Sequence, residues 1–248
     1  MKSNLSYTAF ANSPHPSLKN TTYFEVYDTL FAKYVGQPIT FVEIGIFNGG
    51  SLFMWRSFFG PQARIIGIDL NPNAKVWEKD GFEIFIGDQA DPDFWADFNA
   101  KVGPVDIMLD DGGHTYTQQI VTTECVLDTI KDGGMLVVED VHTSYMTGFG
   151  EQKFSFVNYV SVWINKINSR FGKFPKYQND RRVWSVEVFD SIVAFKINRQ
   201  ASGLASKNIW NKKPVDPAKD FRHLGNADAN HKQRLTELIK RAFSLYCD

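Results

Sequence analysis

The stretch Thr40-Phe-Val-Glu-Ile-Gly-Ile-Phe-Asn-Gly-Gly-Ser51 decides the fold. Its first part, Thr40 to Ile46, is short and apolar and reads as a buried strand; it runs into a glycine turn and then a helix from Leu52 to Phe59. Gly45 lets the backbone turn tightly, while Gly49 and Gly50 remove side chains where a ligand approaches the chain and the next helix starts. A dinucleotide fingerprint needs glycines in the order G-x-G-x-x-G. Here Phe47 stands at the second of those positions, so the pyrophosphate cradle is not reproduced. A glycine-rich turn with no ligand is the plainer alternative.

Outward from this turn, strands and helices alternate. Arg64 to Leu70, Phe82 to Ile86, Val105 to Leu109 and Met135 to Val138 are short apolar runs bounded by Gly, Pro or Asp, as in buried parallel strands. Between the last two, Gln118 to Ile130 has Ile120, Thr123, Leu127 and Ile130 on one helical face, with Gly133 and Gly134 as the stop. Ahead of the first strand, Thr22 to Tyr34 carries Phe24, Tyr27, Leu30 and Phe31 at helical spacing, and residues 1–21 read as a polar arm. Past Val141 come an insertion over about residues 145–182 with a helix from Ser155 to Asn168, then a hairpin of Val183 to Phe189 and Ser191 to Ile197. A loop-like stretch, Gln200 to Ala229, and a packing helix over about residues 231–246 complete the chain. The expectation is one α/β domain over residues 1–248: a doubly wound, Rossmann-like sheet, mostly parallel with a late antiparallel hairpin, whose ligands bind where the strands end.

Composition bounds the partners. With 248 residues, 43% hydrophobic and 22% charged, the chain is long enough for one well-buried core. Its 27 Lys+Arg against 28 Asp+Glu leave a net charge of -1, which offers no basic excess for a nucleic-acid partner. Cys125 and Cys247 are too few and too far apart for a disulfide framework or a thiolate cluster, and no apolar run approaches a membrane span. The opening residues lack the apolar region of a signal peptide, so the expected place is the cytoplasm, with no membrane partner.

Chemistry is expected just after each strand. Asp69 follows the glycine turn by about 20 residues, where an acid accepts hydrogen bonds from ribose hydroxyls. Gly87-Asp88-Gln89 stands at the same edge after the third strand, with an Asx-type turn as its plain reading. The series Glu43-x-Gly45-x-x-x-Gly49-Gly-Ser51, Asp69, Gly87-Asp88-Gln89 and Asp110-Asp111 resembles the class I S-adenosylmethionine-dependent methyltransferases. More narrowly, Gly87-Asp88-Gln89, Leu109-Asp-Asp-Gly-Gly-His114 and Glu139-Asp-Val-His-Thr-Ser-Tyr145 resemble the metal-dependent sugar O-methyltransferases of macrolide biosynthesis, the macrocin and mycinamicin type. Gly113 stands where that family often carries Ser, a departure that leaves the acids in place.

The resemblance implies methyl transfer to a sugar hydroxyl of a small glycosylated or nucleotide-linked molecule. It implies S-adenosylmethionine contacts at Glu43, Gly45, Asn48, Gly49, Ser51, Asp69, Asp88, Gln89 and Asp110. Mg2+ would lie on Asp111, Glu139 and Asp140, with His114 as the base beside Asp111. Chemistry alone supports the cation: three acids at neighbouring strand ends repel one another, and a hard divalent ion with oxygen ligands resolves the conflict. Helix capping by Asp111 or Asp140 is the competing explanation. Two other functions stay open, Mg2+-dependent methylation of a phenolic hydroxyl and a non-catalytic nucleotide-binding or assembly module of the same fold. The 15% aromatic content points beyond the sheet: the insertion and the first helix hold many of the rings, as for a substrate lid, a homo-oligomeric contact or an added core layer.

Overall fold

The computed structural model describes residues 4–171, 180–207, 209–213, 236 and 239–240. The chain divides into two compact units, residues 1–206 and 207–248, and the fold below belongs to the first. Most of the expected 231–246 helix, Cys247, and the insertion's Phe174 and Tyr177 lie outside the described residues.

Seven strands form one sheet: β1 (Thr40–Ile44), β2 (Arg64–Asp69), β3 (Glu83–Ile86), β4 (Val105–Asp110), β5 (Ile130–Val138), β6 (Ser185–Val188) and β7 (Val193–Lys196). Their order is β3-β2-β1-β4-β5-β7-β6. The first five are parallel, β7 runs antiparallel to β5, and β6 closes the hairpin. The order reverses between β1 and β4, the place where an open α/β sheet leaves a crevice for ligands. Register fixes what lines it. Ile44 pairs with Ile68 and with Asp110, and Asp110 with Val138, so Gly45, Asp69, Asp111 and Glu139 all follow at one level of the sheet edge.

Period-two alternation divides the core. Phe41, Ile65, Ile107, Leu109 and Val137 face one side, where α1 (Leu5–Ala11), α2 (Tyr23–Phe31) and α3 (Gly50–Phe59) cover them. Val42, Ile44, Ile66, Met108 and Leu136 face the other, under α4 (Pro92–Val102), α5 (Tyr116–Val126) and α6 (Phe156–Asn168). Many of these rings form a core layer, one of the alternatives the sequence leaves open. Tyr27, Phe31, Phe41, Trp55 and Phe59 pack edge-on, tilted or stacked within the first layer, and Phe156 and Trp163 of the insertion are fully buried in the second. Tyr145 and Phe154 remain exposed.

Three expectations need correction. The arm contains the helix α1, whose first N–H groups at Leu5 and Ser6 donate to the Asp28 carboxylate at 2.8 and 2.9 Å, a cap supplied from α2 rather than from local sequence. The α5 helix stops at Val126 instead of Ile130, and Gly133 and Gly134 lie inside β5. Arg199 ends it from afar: its guanidinium donates to the carbonyls of Leu127, Asp128 and Ile130. The loop expected from Gln200 begins with a short helix, α7 (Arg199–Gly203), capped by the Asn198 side chain. No described helix is long and apolar enough to cross a membrane.

Candidate active site

A cleft of about 640 Å³ opens at the switch point between β1 and β4. Its walls come from the glycine turn, the ends of β2 to β5, and the segment Pro16–Tyr23 ahead of α2. Gly45 has φ +82°, and a Cβ there would stand 2.1 Å from the Asp111 carbonyl oxygen, so only glycine lets the β1 and β4 loops meet. Gly50 does the same for the N-terminal segment: a Cβ would strike the carbonyl oxygens of His15 and Pro16 at 2.4 Å, and the Ser13 hydroxyl donates to the Gly50 carbonyl at 2.7 Å. Residues 13–16 thus lie directly on the start of α3.

On the cofactor side, Asp69 organises the turn before any ligand arrives. Its Oδ2 accepts from the N–H groups of Ile46 and Phe47 at 3.1 and 3.2 Å, and its Oδ1 from Asn71 at 2.8 Å. The carboxylate keeps lone pairs for further donors. Asn48 and Asp88 are exposed beside the cleft, where Asp88 also closes a turn by accepting from Ala90. Gly45, Gly49 and Ser51 belong to the turn and the first residues of α3, and Gly45 and Ser51 line the cleft.

Glu43, Gln89 and Asp110, expected at the cofactor, each engage partners within the protein, and of the three Gln89 also lines the cleft. Gln89 is buried and donates to both Asp110 oxygens at 2.9 and 3.1 Å, while its Oε1 accepts from the Gly113 N–H at 2.9 Å. That pair fixes the 110–113 loop, and burial pushes the Asp110 carboxyl up to about 6. Glu43 is fully buried on the other face and accepts from Ser51 Oγ at 2.6 Å and Trp55 Nε1 at 3.0 Å. Burial raises its carboxyl above the ordinary range.

The acids of β4 and β5 separate into two layers. Facing the cleft, Asp140 Oδ2 lies 3.2 Å from His114 Nε2, and Asp111 Oδ1 lies 4.0 Å from the same nitrogen. One ligand atom from each of Asp111, His114 and Asp140 lies within 4.8 Å of the others, a compact set of hard oxygens and an imidazole that suits a divalent cation. His114 and Asp140 both hold left-handed backbone, φ +59° and +54°, an uncommon conformation that directs their side chains inward. Asp140 Oδ1 accepts from the Tyr23 hydroxyl at 2.5 Å.

Beneath them lies a residue that the sequence reading missed. Lys19 Nζ is 2.6 Å from Asp111 Oδ2, 3.1 Å from Glu139 Oε2 and 3.6 Å from Glu43 Oε1, with its side chain 1% exposed. Burial works to lower its pKa, but Asp111, Glu139, Tyr27 and Glu43 together raise it well above the ordinary value, so it stays an ammonium. Glu139 gives its other oxygen to the Tyr27 hydroxyl at 2.5 Å, and burial pushes its carboxyl up while Lys19 pulls it down. Glu139, expected as a metal ligand, is therefore held by Lys19 and Tyr27, and His114 takes part in the converging set. The signal was available: alternation puts Glu43, Asp111 and Glu139 on the face covered by α2, and three acids there call for a cation from that layer.

Residues 42–141 match the family described as "Methyltransferase domain". Among curated proteins, the chain is 36% identical over 132 residues to 8-demethyl-8-(2-methoxy-alpha-L-rhamnosyl)-tetracenomycin-C 3'-O-methyltransferase of Streptomyces olivaceus. It is 35% identical over 133 residues to mycinamicin VI 2''-O-methyltransferase of Micromonospora griseorubida. These matches cover 50% and 51% of this chain and span only 33% of the length of either relative. Among solved structures, the MycE methyltransferase from the mycinamycin biosynthetic pathway, in complex with Mg and SAH, superposes with a TM-score of 0.73 at 25% identity. That match covers 87% of this chain and 59% of that one.

Proposed function

We propose that this chain is an S-adenosylmethionine-dependent O-methyltransferase that uses Mg2+ and acts on a sugar hydroxyl of a small glycosylated or nucleotide-linked molecule. The observation that carries the reading is one cleft that joins the glycine turn and Asp69 to the open set Asp111, His114 and Asp140. The relatives' printed activities support a sugar acceptor, and the Mg and SAH in the MycE complex support the cofactor and the ion.

S-adenosylmethionine supplies an electrophilic methyl group, and the bound cation supplies positive charge that favours an ionised hydroxyl. Asp111, Glu139 and Asp140 would hold that cation. His114 Nε2 takes the hydroxyl proton, and the imidazolium that results is stabilised by Asp140 at 3.2 Å and Asp111 at 4.0 Å. Such a base contributes roughly 10²- to 10⁴-fold. Gly45 and Asp69 fix the turn that would hold the methyl donor, so the donor's position relative to His114 would be set by backbone geometry.

The test is methyl transfer to a rhamnosylated acceptor, with and without chelator, in the wild type and in His114→Asn, since asparagine tolerates the left-handed backbone at that position. Chelation and the substitution should each suppress turnover while S-adenosylhomocysteine still binds. Turnover that survives both rejects the mechanism. Faster methylation of catechols than of sugars rejects the acceptor class.

A further inference from the structure

Lys19 is the one cation buried among Glu43, Asp111 and Glu139 in the described residues, at the place where a divalent ion bridging Asp111 and Glu139 would also sit. We propose that Lys19 is the resident counter-ion of this carboxylate edge, and that a divalent cation engages Asp111 and Glu139 together only by displacing its ammonium toward solvent. The inference rests on the metal-assisted reading above.

Three observations support the exchange. The Nζ lies within hydrogen-bond reach of one oxygen each from Asp111 and Glu139, so both acids already spend an oxygen on a cation. Glu139 is fully engaged, by Lys19 and Tyr27, and has no oxygen turned toward His114 and Asp140 within the converging set. Two positive groups on one carboxylate pair repel, and a divalent ion outbids a monovalent one where charge density is highest. Lys19 also sits on a segment that can yield. Residues 12–22 carry no helix or strand between α1 and α2. The segment is pinned at its start by Ser13 on Gly50 and at its end by the Asn20 and Tyr23 side chains on Asp140. Three residues separate Lys19 from the start of α2, enough for local movement without unfolding the helix.

Displacement leaves the ammonium protonated and exchanges a single charge for a double one at the acids. In the absence of metal, Lys19 keeps Glu43, Asp111 and Glu139 in place against mutual repulsion. It thus acts as a positioning residue for the edge, and as a competitor that sets how much cation the site requires.

The experiment uses the full chain and Mn2+ or Mg2+ alone, without cofactor or acceptor. By calorimetry, Lys19→Met should bind Mn2+ at least tenfold more tightly than the wild type, because the competitor is gone. Equal or weaker binding in the variant overturns the proposal. Should Lys19→Met fail to fold by itself, saturating Mn2+ should restore a cooperative melt, and a variant that stays unfolded with the ion present also overturns it. In the wild type, trypsin reads the segment directly. Millimolar Mg2+ should speed cleavage after Lys19, scored by mass spectrometry, several-fold; unchanged or slower cleavage counts against the exchange. If neither protein binds an ion, the metal reading falls together with this one. If the ion binds but Lys19 stays shielded and the variant's affinity is not raised, only the exchange falls.

Discussion

The two halves of the cleft are held in place by different physics. In the β1–β3 half, neutral backbone donors hold a single acid: Asp69 accepts from Ile46, Phe47 and Asn71, and Gly45 brings the neighbouring loop into contact by having no side chain. In the β4–β5 half, Asp111 and Glu139 are held by one ammonium that reaches them from a segment outside the sheet and also lies 3.6 Å from Glu43 of β1. The first arrangement consists of short-range hydrogen bonds, each worth about 1 kcal/mol net. The second depends on charge balance, where loss of one partner leaves a buried charge and costs about 3–5 kcal/mol. A ligand arriving in the first half finds a finished mould; one arriving in the second must take its place in an existing ionic network.

The largest effect that separates the halves is expected from Asp111→Asn. It removes charge from both acid layers at once, and methyl transfer should fall about a thousandfold, the equivalent of several kcal/mol of lost charge stabilisation. S-adenosylhomocysteine affinity, measured by calorimetry, should change less than about threefold, because Asp69 and the glycine turn do not touch Asp111 through a side chain. A parallel collapse of cofactor binding would break the division. Next in size is Tyr27→Phe, which deletes the hydroxyl on Glu139 and leaves a fully buried carboxylate oxygen without its donor. A loss of about 2 kcal/mol in urea unfolding is expected, the range for a hydrogen bond to a charged group. Added Mg2+ should recover part of it.

How much of this was legible from sequence follows the same line. The β1–β3 half is local: glycine, a strand end and an acid about 20 residues further on belong to adjacent elements, so spacing alone locates them. The five parallel strands and the late hairpin were readable for the same reason, because apolar runs between Gly, Pro and Asp carry their own boundaries. The β4–β5 half is non-local. Asp111, His114 and Asp140 could be named from their strand ends, but Lys19 lies 92 and 120 residues from Asp111 and Glu139, in a polar stretch with no periodicity. Asp28 capping α1 and Arg199 ending α5 were hidden in the same way, since each partner comes from another element. Gln89 and Asp110 could be located by spacing, but their pairing could not: the alternation of β4 turns Asp110 toward the far face, where it accepts from the Gln89 amide. The aromatic surplus left lid, contact and core layer open because composition counts rings without saying which sheet face receives them.

A smaller effect is expected from Asp69→Asn. The amide oxygen can still accept from Ile46 and Phe47, while the amide nitrogen no longer accepts from Asn71, so stability should fall by no more than about 1 kcal/mol. Cofactor affinity should drop about tenfold, because hydrogen bonds from ribose hydroxyls to a neutral oxygen are weaker than those to a charged one. A large loss of stability would show that this half, too, depends on charge, and would erase the contrast.

The smallest expected effect concerns Phe47, which sits in the glycine turn with φ +44° and is 75% exposed at the cleft. A bulky residue in left-handed backbone costs roughly 1–2 kcal/mol, and so exposed a ring regains little of that by burial. Phe47→Gly removes the strain but adds about 0.5–1 kcal/mol of unfolded-state entropy. The net should be a gain near 0.5 kcal/mol, or about 1–2 °C in melting temperature by calorimetry. A more stable variant that also binds cofactor or acceptor more weakly would show that the fold tolerates Phe47 for the ligand's sake. A variant with unchanged binding would leave the ring without a role in the cleft, and the β1–β3 half would owe its shape to its glycines and Asp69 alone.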